Sequence, residues 1–344
     1  MESPTQAKPE TVNLEAARGG DEGAFERIVE PYRRELQAHC YRMLGSVHDA
    51  EDALQETLLR AWRGLSGFEG RSSLRAWLYR IATNVSLRAI ERRPTRLLPV
   101  DYGPAGDPHS EPEEPLTESV WVEPYPVDGL KDLRSSPDAR YEQRESVELA
   151  FIAALQHLPD RQRAVLLLRD VLGFAPAEIA EALDSTPASV YSALQRAHAA
   201  IDERLPERSQ QETLRSIDDE RLREVTESFV AAWEANDVSA LVELLTDDAA
   251  ITMPPRPSWY RGREAVAEFL AKTPMAEREH WRIVPVSANG QPGFATYGLE
   301  ADGRWYAHAI QTITLDPNGL IAEITAFLDP GAFRNFGLPY ELTP

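Results

Sequence analysis

The sequence predicts a multidomain chain: two all-α domains, a helical bundle and then a helix-turn-helix, followed by an α+β domain whose curved sheet folds around its helices. Three observations lead there. Apolar residues repeat at helical spacing from about Asp21 to Arg93 and again through residues 141–205. A stretch rich in Pro, Asp, Glu and Gly, residues 99–138, separates those segments and shows neither a helical nor a strand period. Beyond Ser209 two more helical segments give way to a series of strand-like runs, and helices first with antiparallel strands after is the element order of an α+β domain. With 344 residues the chain has room for two or three domains, each with its own core.

Residues 1–12 are polar and expected to fray, and helix is expected from near Asp21, where Ala24, Phe25, Ile28 and Val29 start an apolar stripe that continues to Leu36. In the next segment Ala50, Ala53, Leu54, Thr57, Leu58 and Ala61 form the buried stripe. Glu51, Asp52, Gln55, Glu56 and Arg60 fall on its other faces. A polar face this acidic suits a basic protein partner and repels DNA. The block that follows is the opposite: residues 71–96 hold seven Arg and one acid, Glu91, with Trp77 and Tyr79 among the cations. Cations for phosphates interleaved with rings for unstacked bases suit single-stranded nucleic acid. The plain alternative is a helical bundle with one acidic and one basic solvated face. The first domain, residues 12–95, closes at Arg93-Pro94, where proline and its predecessor both disfavour helix.

The run Asp49-Ala50-Glu51-Asp52-Ala53-Leu54-Gln55-Glu56-Thr57, followed by Phe68-Glu69-Gly70-Arg71-Ser72-Ser73-Leu74-Arg75-Ala76-Trp77-Leu78-Tyr79-Arg80-Ile81-Ala82-Thr83-Asn84, resembles domain 2 of the sigma-70 family of bacterial transcription initiation factors in its compact extracytoplasmic-function (ECF) form. The resemblance implies that the helix Asp49 to Arg63 holds core RNA polymerase, with Asp49, Asp52, Gln55 and Glu56 as contact residues. It implies equally that Phe68, Arg71, Ser72, Ser73, Arg75, Trp77, Arg80, Asn84 and Arg88 line the non-template strand of a promoter's minus-ten element.

Residues 96–140 read as an acidic, Pro-rich linker, and its island Val120-Trp121-Val122-Glu123-Pro124-Tyr125-Pro126 carries two aromatics that a purely entropic tether would not need. It is expected to dock onto something. In the family the corresponding linker threads through the polymerase, which implies that its acids could mimic RNA. Residues 141–206 form the second helical domain, with Gly173 as a helix stop. The helix Pro176 to Leu183, the turn Asp184-Ser185, a Thr186 cap and Pro187 in the first turn then make a helix-turn-helix. Val190 and Leu194 should face inward, leaving Ala188, Ser189, Tyr191, Ser192, Gln195 and Arg196 exposed. This segment resembles sigma domain 4, which implies that these residues, with Thr186, read a minus-thirty-five element. A small packing hairpin is its bland alternative, and with Arg196 as its cation before Arg204 its own affinity for DNA should be low.

Residues 216–335 carry two helices, with Leu222, Val225, Phe229, Val230 and Trp233 and then Leu241, Leu244 and Leu245, followed by strand-like runs at 250–253, 281–286, 294–299, 306–315 and 320–327. The order, with Trp259-Tyr260-Arg261-Gly262-Arg263-Glu264-Ala265-Val266 between them, resembles the SnoaL-like branch of the NTF2-like superfamily. Some members are cyclases or isomerases, so Asp247, Asp248, His280 and His308 are candidate proton carriers. Trp259, Trp281, Tyr297, Trp305 and Tyr306 are candidate pocket wall. The stronger reading gives the aspartates to a turn and the histidines to ordinary hydrogen bonding.

The net charge of −20 argues against a protein that coats DNA unaided. The one cysteine, Cys40, can form no internal disulfide and reads as a buried thiol in a reducing cytosol. No run reaches the roughly 18 apolar residues of a membrane span, and no signal core is present. No cofactor is expected, and no metal-ligand spacing is visible. The expected function is a non-enzymatic, cytoplasmic sigma factor of the subgroup with a C-terminal SnoaL-like domain. Its partners would be core RNA polymerase and promoter DNA, with a small-molecule ligand or regulatory protein as candidates for the C-terminal domain, and no membrane. That domain, with twenty acids and ten cations in residues 216–344, is expected to regulate in cis by docking on domain 2 or the Trp121 region. The alternative is a SnoaL-like cyclase or isomerase with a fused DNA-binding regulatory half; a stand-alone helix-turn-helix repressor is a lesser one.

Overall fold

The computed structural model describes residues 9–116, 120–127 and 147–343. In chain order its helices are α1 (Pro9–Arg18), α2 (Glu22–Leu44), α3 (Val47–Gly64), α4 (Leu74–Ile90), the single turn α5 (Pro99–Tyr102), α6 (Leu149–Gln156), α7 (Asp160–Leu166), α8 (Pro176–Ala182), α9 (Pro187–Asp202), α10 (Gln210–Ser216), α11 (Asp219–Glu234), α12 (Val238–Glu243), α13 (Arg263–Lys272) and α14 (Pro274–Glu277). The strands are β1 (Leu245–Thr252), β2 (Trp259–Arg261), β3 (Trp281–Ala288), β4 (Gln291–Leu299), β5 (Trp305–Leu315), β6 (Ile321–Phe327) and β7 (Glu341–Leu342). They divide into two compact units. One holds α1, α2, α4, α7, α8 and most of α3 and α9; the other holds residues 94–157 and everything from Ile201 onward, together with the turn Gly45–Val47.

In the helical unit α2 packs on α1 and α4, and α4 packs on α7 and α8. Ala50, Ala53, Leu54, Thr57 and Ala61 are buried along α3, as their spacing requires. Helix begins earlier than Asp21. Gly20 breaks α1 from α2 at φ +97°, and the Asp21 carboxylate caps α2 by accepting from the Ala24 N–H at 2.9 Å. Ser73 caps α4 by accepting from the Ala76 N–H at 3.1 Å. After α7 the chain widens into a π-turn at Leu167–Val171 and stops at Gly173, whose φ is +74° and whose N–H returns to the Arg169 carbonyl at 3.1 Å. The expected cap of α9 forms: Thr186 Oγ1 accepts from the Ser189 N–H at 3.2 Å, with Val190 and Leu194 buried behind it.

The second unit is built on a sheet of order β2-β1-β6-β5-β4-β3, with β7 on β5. Each neighbouring pair is antiparallel except β1 with β6, which is parallel. The reading of antiparallel strands throughout is corrected there, because α13, α14 and the β3–β5 meander intervene and supply the long connection that parallel pairing requires. Helices α11 to α13 cover one face, where Val225, Phe229, Trp233, Leu241, Phe269 and Leu270 meet Ile251, Phe294, Ile313 and Ile324. On the opposite face Tyr297, Ala307 and Ile310 pack with Ala332 and Phe333. Strand β1 starts at Leu245, so Asp247 and Asp248 are exposed strand residues rather than turn residues.

The linker is no free tether. Where described, much of it runs along the C-terminal domain, which takes up several of its backbone groups. The Trp259 indole N–H donates to the Gly103 carbonyl at 2.8 Å, and the Gly106 N–H to the Trp259 carbonyl at 2.7 Å. A Cβ at Gly106 would lie 3.2 Å from the Tyr260 ring, so glycine lets the backbones approach. The Glu113 N–H donates to Ser258 Oγ at 2.7 Å and the Leu116 N–H to the Pro255 carbonyl at 3.1 Å. Farther on, Tyr125 and Asn289 exchange hydrogen bonds of 2.9 and 2.8 Å. Trp121 is buried beside Tyr102, and Arg96 donates to its carbonyl at 3.0 Å. The connector after residue 205 is partly helical: Ser209 caps α10, and the Glu148 carboxylate accepts from the N–H groups of Gln210 and Gln211 at 3.1 and 2.6 Å. The frayed reading of residues 1–8, the linker at 117–119 and 128–140 and the start of domain 4 at 141–146 lie outside the described residues.

Candidate functional site

Three surfaces of the helical unit carry the residues singled out in the sequence. On α3, Asp52 and Gln55 are exposed and Glu56 is half-exposed, tied to Arg60 at 2.6 Å. Asp49 is different. It is buried and paired with Arg93, so it braces the end of α4 and leaves the exposed acidic face to the others. Asp52 feels the same arginine at 3.9 Å.

Along α4 the rings are less available than their sequence suggests. Tyr79 is buried, its hydroxyl donates to Glu35 at 3.1 Å, and the Arg75 guanidinium lies 4.9 Å over its ring, which removes it from any base-stacking surface. Burial and the Glu35 carboxylate push its phenol well up from the usual range. Trp77 is half-buried, its ring 5.0 Å from that of buried Phe68. Behind them His39 hydrogen-bonds Thr83 at 2.9 Å, and burial, with Arg42 and Arg75 near, lowers its pKa to about 3. Arg71 and Arg88 are exposed, Ser72 half-exposed and Ser73 exposed as the cap of α4. Arg96, counted in the basic block, is buried with Trp121 and Glu123 and contributes nothing to that face.

Three of the expected nucleic-acid contacts are already engaged by the helix-turn-helix half of the same unit. Arg75 donates to the Leu172 carbonyl at 3.3 Å, Arg80 lies 3.7 Å from Asp184 and 4.0 Å from Glu181, and Asn84 donates to the Ala182 carbonyl at 3.3 Å. On α9 itself Thr186, Ala188, Ser189, Tyr191, Ser192, Gln195 and Arg196 are all exposed, Tyr191 at 61 %. They form one solvent face.

The C-terminal domain holds a cavity of about 100 Å³ beneath its helices, lined chiefly by Trp233, Met253, Phe269, Leu270, His308 and Gln311, with Pro112 of the linker in one wall. Of the expected pocket residues only His308 lines it. Trp281 packs at a tilt with its ring 5.1 Å from that imidazole, Trp259 faces the linker, and Tyr297 belongs to the opposite face, where its hydroxyl donates to the Pro339 carbonyl at 3.0 Å. Trp305 packs under Arg282 at 4.7 Å and near β7, while Tyr306 donates to Asp302 at 2.8 Å. A bulge in β5 puts His308 on the cavity side and Trp305 on the other. Thr296 pairs with Ala309 but Tyr297 with Ala307, so His308 is the extra residue and joins Ala309 on the cavity side. Burial, with Arg278 nearby, lowers its pKa to about 4 and keeps it neutral. Trp233 and Gln311 went unnoticed in the sequence, the first hidden in an apolar helix stripe, the second signalled only by a lone amide inside the strand run 306–315.

Comparison with known proteins follows the same divisions. The sigma-70 region 2 pattern matches residues 28–95, sigma-70 region 4 matches 148–201, and a SnoaL-like domain matches 226–324. The ECF RNA polymerase sigma factor SigG of Mycobacterium tuberculosis is 45 % identical over 324 residues, covering 93 % of this chain and 85 % of that protein. The chain belongs to the ECF family of RNA polymerase sigma factors. ECF sigma factor SigW of Bacillus subtilis, 29 % identical over 192 residues, covers 56 % of this sigma factor but 94 % of its own length. In fold, the crystal structure of M. tuberculosis ECF sigma factor SigJ matches 90 % of this chain and 98 % of its own, with a TM-score of 0.57 at 22 % identity. No described helix of this sigma factor is long and apolar enough to cross a membrane.

Proposed function

We propose that this sigma factor binds core RNA polymerase through Asp52, Gln55 and Glu56 of α3, captures the melted minus-ten strand along α4, and reads the minus-thirty-five element with the exposed face of α9. The observation that carries this assignment is the sorting of side chains within one helical unit: an exposed acidic face on α3, cations and a half-buried ring along α4, and a capped helix-turn-helix with every expected reading residue in solvent. Phosphates and unstacked bases are served by the second and third, a basic protein by the first. Arg75, Arg80 and Asn84 must leave Leu172, Ala182 and Asp184 before they meet DNA, so promoter binding includes opening of this unit. Work of that kind places the protein in the cytoplasm with the polymerase.

The C-terminal domain serves regulation rather than catalysis. Asp247, Asp248 and His280 are exposed and none lines the cavity; the carboxylate that does, Glu277, is exposed, so of the expected proton carriers only a neutral His308 reaches it. Run-off transcription with purified core polymerase tests the assignment. Promoter-dependent transcripts that require this chain are the expected result; their absence on every promoter tried, together with turnover of a carbon acid, would favour the enzyme.

A further inference from the structure

The cavity of the C-terminal domain has three properties that together define a ligand. Its volume of about 100 Å³ is of the order that holds a single six-membered ring, given that an engineered apolar cavity of about 150 Å³ binds benzene. Its walls are mainly apolar, from Ile251, Met253, Phe269, Leu270, Ala326 and Leu328. Two of its lining side chains are almost fully buried yet hold a polar atom without a partner: Trp233, 3 % exposed, with its indole N–H, and Gln311, 2 % exposed, with Oε1. Orphaned buried donors and acceptors are costly, so a molecule that supplies the missing hydrogen bonds gains what they lack.

The fourth wall is the linker. Pro112 closes the cavity, and its carbonyl and that of Glu113 accept from Arg256 Nη1 at 3.4 and 2.9 Å. With the Glu113 N–H on Ser258 and the Leu116 N–H on Pro255, these bonds strap the linker to the loop between β1 and β2. Any other use of residues 103–116 has to break them and unroof the cavity.

We propose that this cavity binds a small neutral molecule, about one six-membered ring carrying a hydroxyl or carbonyl group, and that its occupant locks the linker strap onto the C-terminal domain. A ligand that touches Pro112 binds the strapped state more tightly than the unstrapped one, and by linkage it shifts the population toward the strap. A charged ligand is disfavoured: the charged side chains of the lining, Arg256 and Glu277, are opposite in sign, Glu277 is exposed and Arg256 is half-exposed and already held by the linker carbonyls, so neither offsets the desolvation of a charge among the apolar walls. In the sigma-factor reading, on which this regulatory consequence rests, the occupant withholds the linker from the polymerase and lowers transcription.

The test uses the full chain with phenol and cyclohexanone as probes and benzoate as the charged control. Calorimetric titration should show saturable binding of at least one neutral probe, with benzoate at least tenfold weaker. Ala326→Leu, which fills the cavity with an apolar side chain, and Gln311→Leu should each weaken binding at least tenfold while the circular-dichroism spectrum is retained. Saturating probe should slow hydrogen exchange at the Glu113 and Leu116 amides at least threefold in the wild type and not in Ala326→Leu. Arg256→Ala, which releases the linker carbonyls and leaves the apolar part of the lining in place, should speed that exchange and weaken the probe severalfold. Absence of binding by both neutral probes, or benzoate binding equally well, overturns the ligand assignment; binding without any change in exchange at residues 113 and 116 overturns the lock. None of these measurements involves polymerase, so their failure is separable from failure of the sigma-factor assignment.

Discussion

Trp77 and His39 show how differently two buried-facing side chains on neighbouring helices can matter. Trp77 is half in solvent against Phe68, so its truncation removes a ring pair worth roughly 0.5–1.5 kcal/mol and a stacking surface worth roughly 1–3 kcal/mol per base. Trp77→Ala should therefore lower the melting temperature slightly and reduce open complexes at least tenfold, measured by permanganate reactivity, with closed complexes almost unchanged. A large fall in stability with opening and closing equally affected would make Trp77 a packing residue only. His39 is fully buried and its pKa is lowered to about 3. Its folded value lies below the unfolded value of about 6.5, so the unfolded chain takes up the proton first and stability falls as pH drops from about 6.5 towards 3. The slope is about 1.4 kcal/mol per pH unit for one such group. Urea unfolding at pH 6.5 and 5 should show a loss that His39→Gln reduces by about 2 kcal/mol.

At the scale of elements, the exposed acids of α3 and the engaged cations of α4 make separate predictions. Asp52→Arg with Glu56→Arg should abolish association with core polymerase in a pull-down while the helical spectrum is retained, each reversal costing roughly 2–5 kcal/mol if the contacts are desolvated. Retained association would remove α3 from the interface. Glu181→Gln with Asp184→Asn removes the carboxylates that hold Arg80 at 4.0 and 3.7 Å. Exposed pairs of this kind are worth about 0.2–1 kcal/mol, so affinity for a forked minus-ten duplex should rise about two- to fivefold, read by fluorescence anisotropy. Unchanged affinity would mean that opening of this unit is governed by its apolar contacts. The elements themselves were largely legible: the α3 stripe, the Thr186 cap and the Gly173 stop follow from spacing and short-range hydrogen bonding, whereas the Ser73 cap of α4 was not read. The α1 helix was missed because its sequence is polar and its burial depends on α2, and Trp305 was assigned to the pocket wall because a bulge at His308 shifts the parity of β5 by one residue.

At the scale of the whole molecule, the linker and the C-terminal domain act as one folded unit. Deletion from Ser209 onward removes the partners of Gly106, Glu113, Leu116 and Tyr125. Transcription by the truncated chain should change at least severalfold while core binding persists: it rises if the strap withholds the linker and falls if it braces it. Transcription indistinguishable from full length, in rate and promoter choice, would leave the domain a passenger. By itself the sequence determined the succession of helical, linker and α+β segments, the acidic and basic faces, and the helix caps, because each depends on residues within a few positions of one another. The tertiary structure alone decided that Asp49 pairs with Arg93 rather than facing solvent, that Tyr79 is core, that Arg80 and Asn84 are held by residues about a hundred positions away, and that the linker roofs a cavity. Those outcomes depend on which distant surfaces meet, and burial and pairing across such distances leave no periodicity in the chain to read.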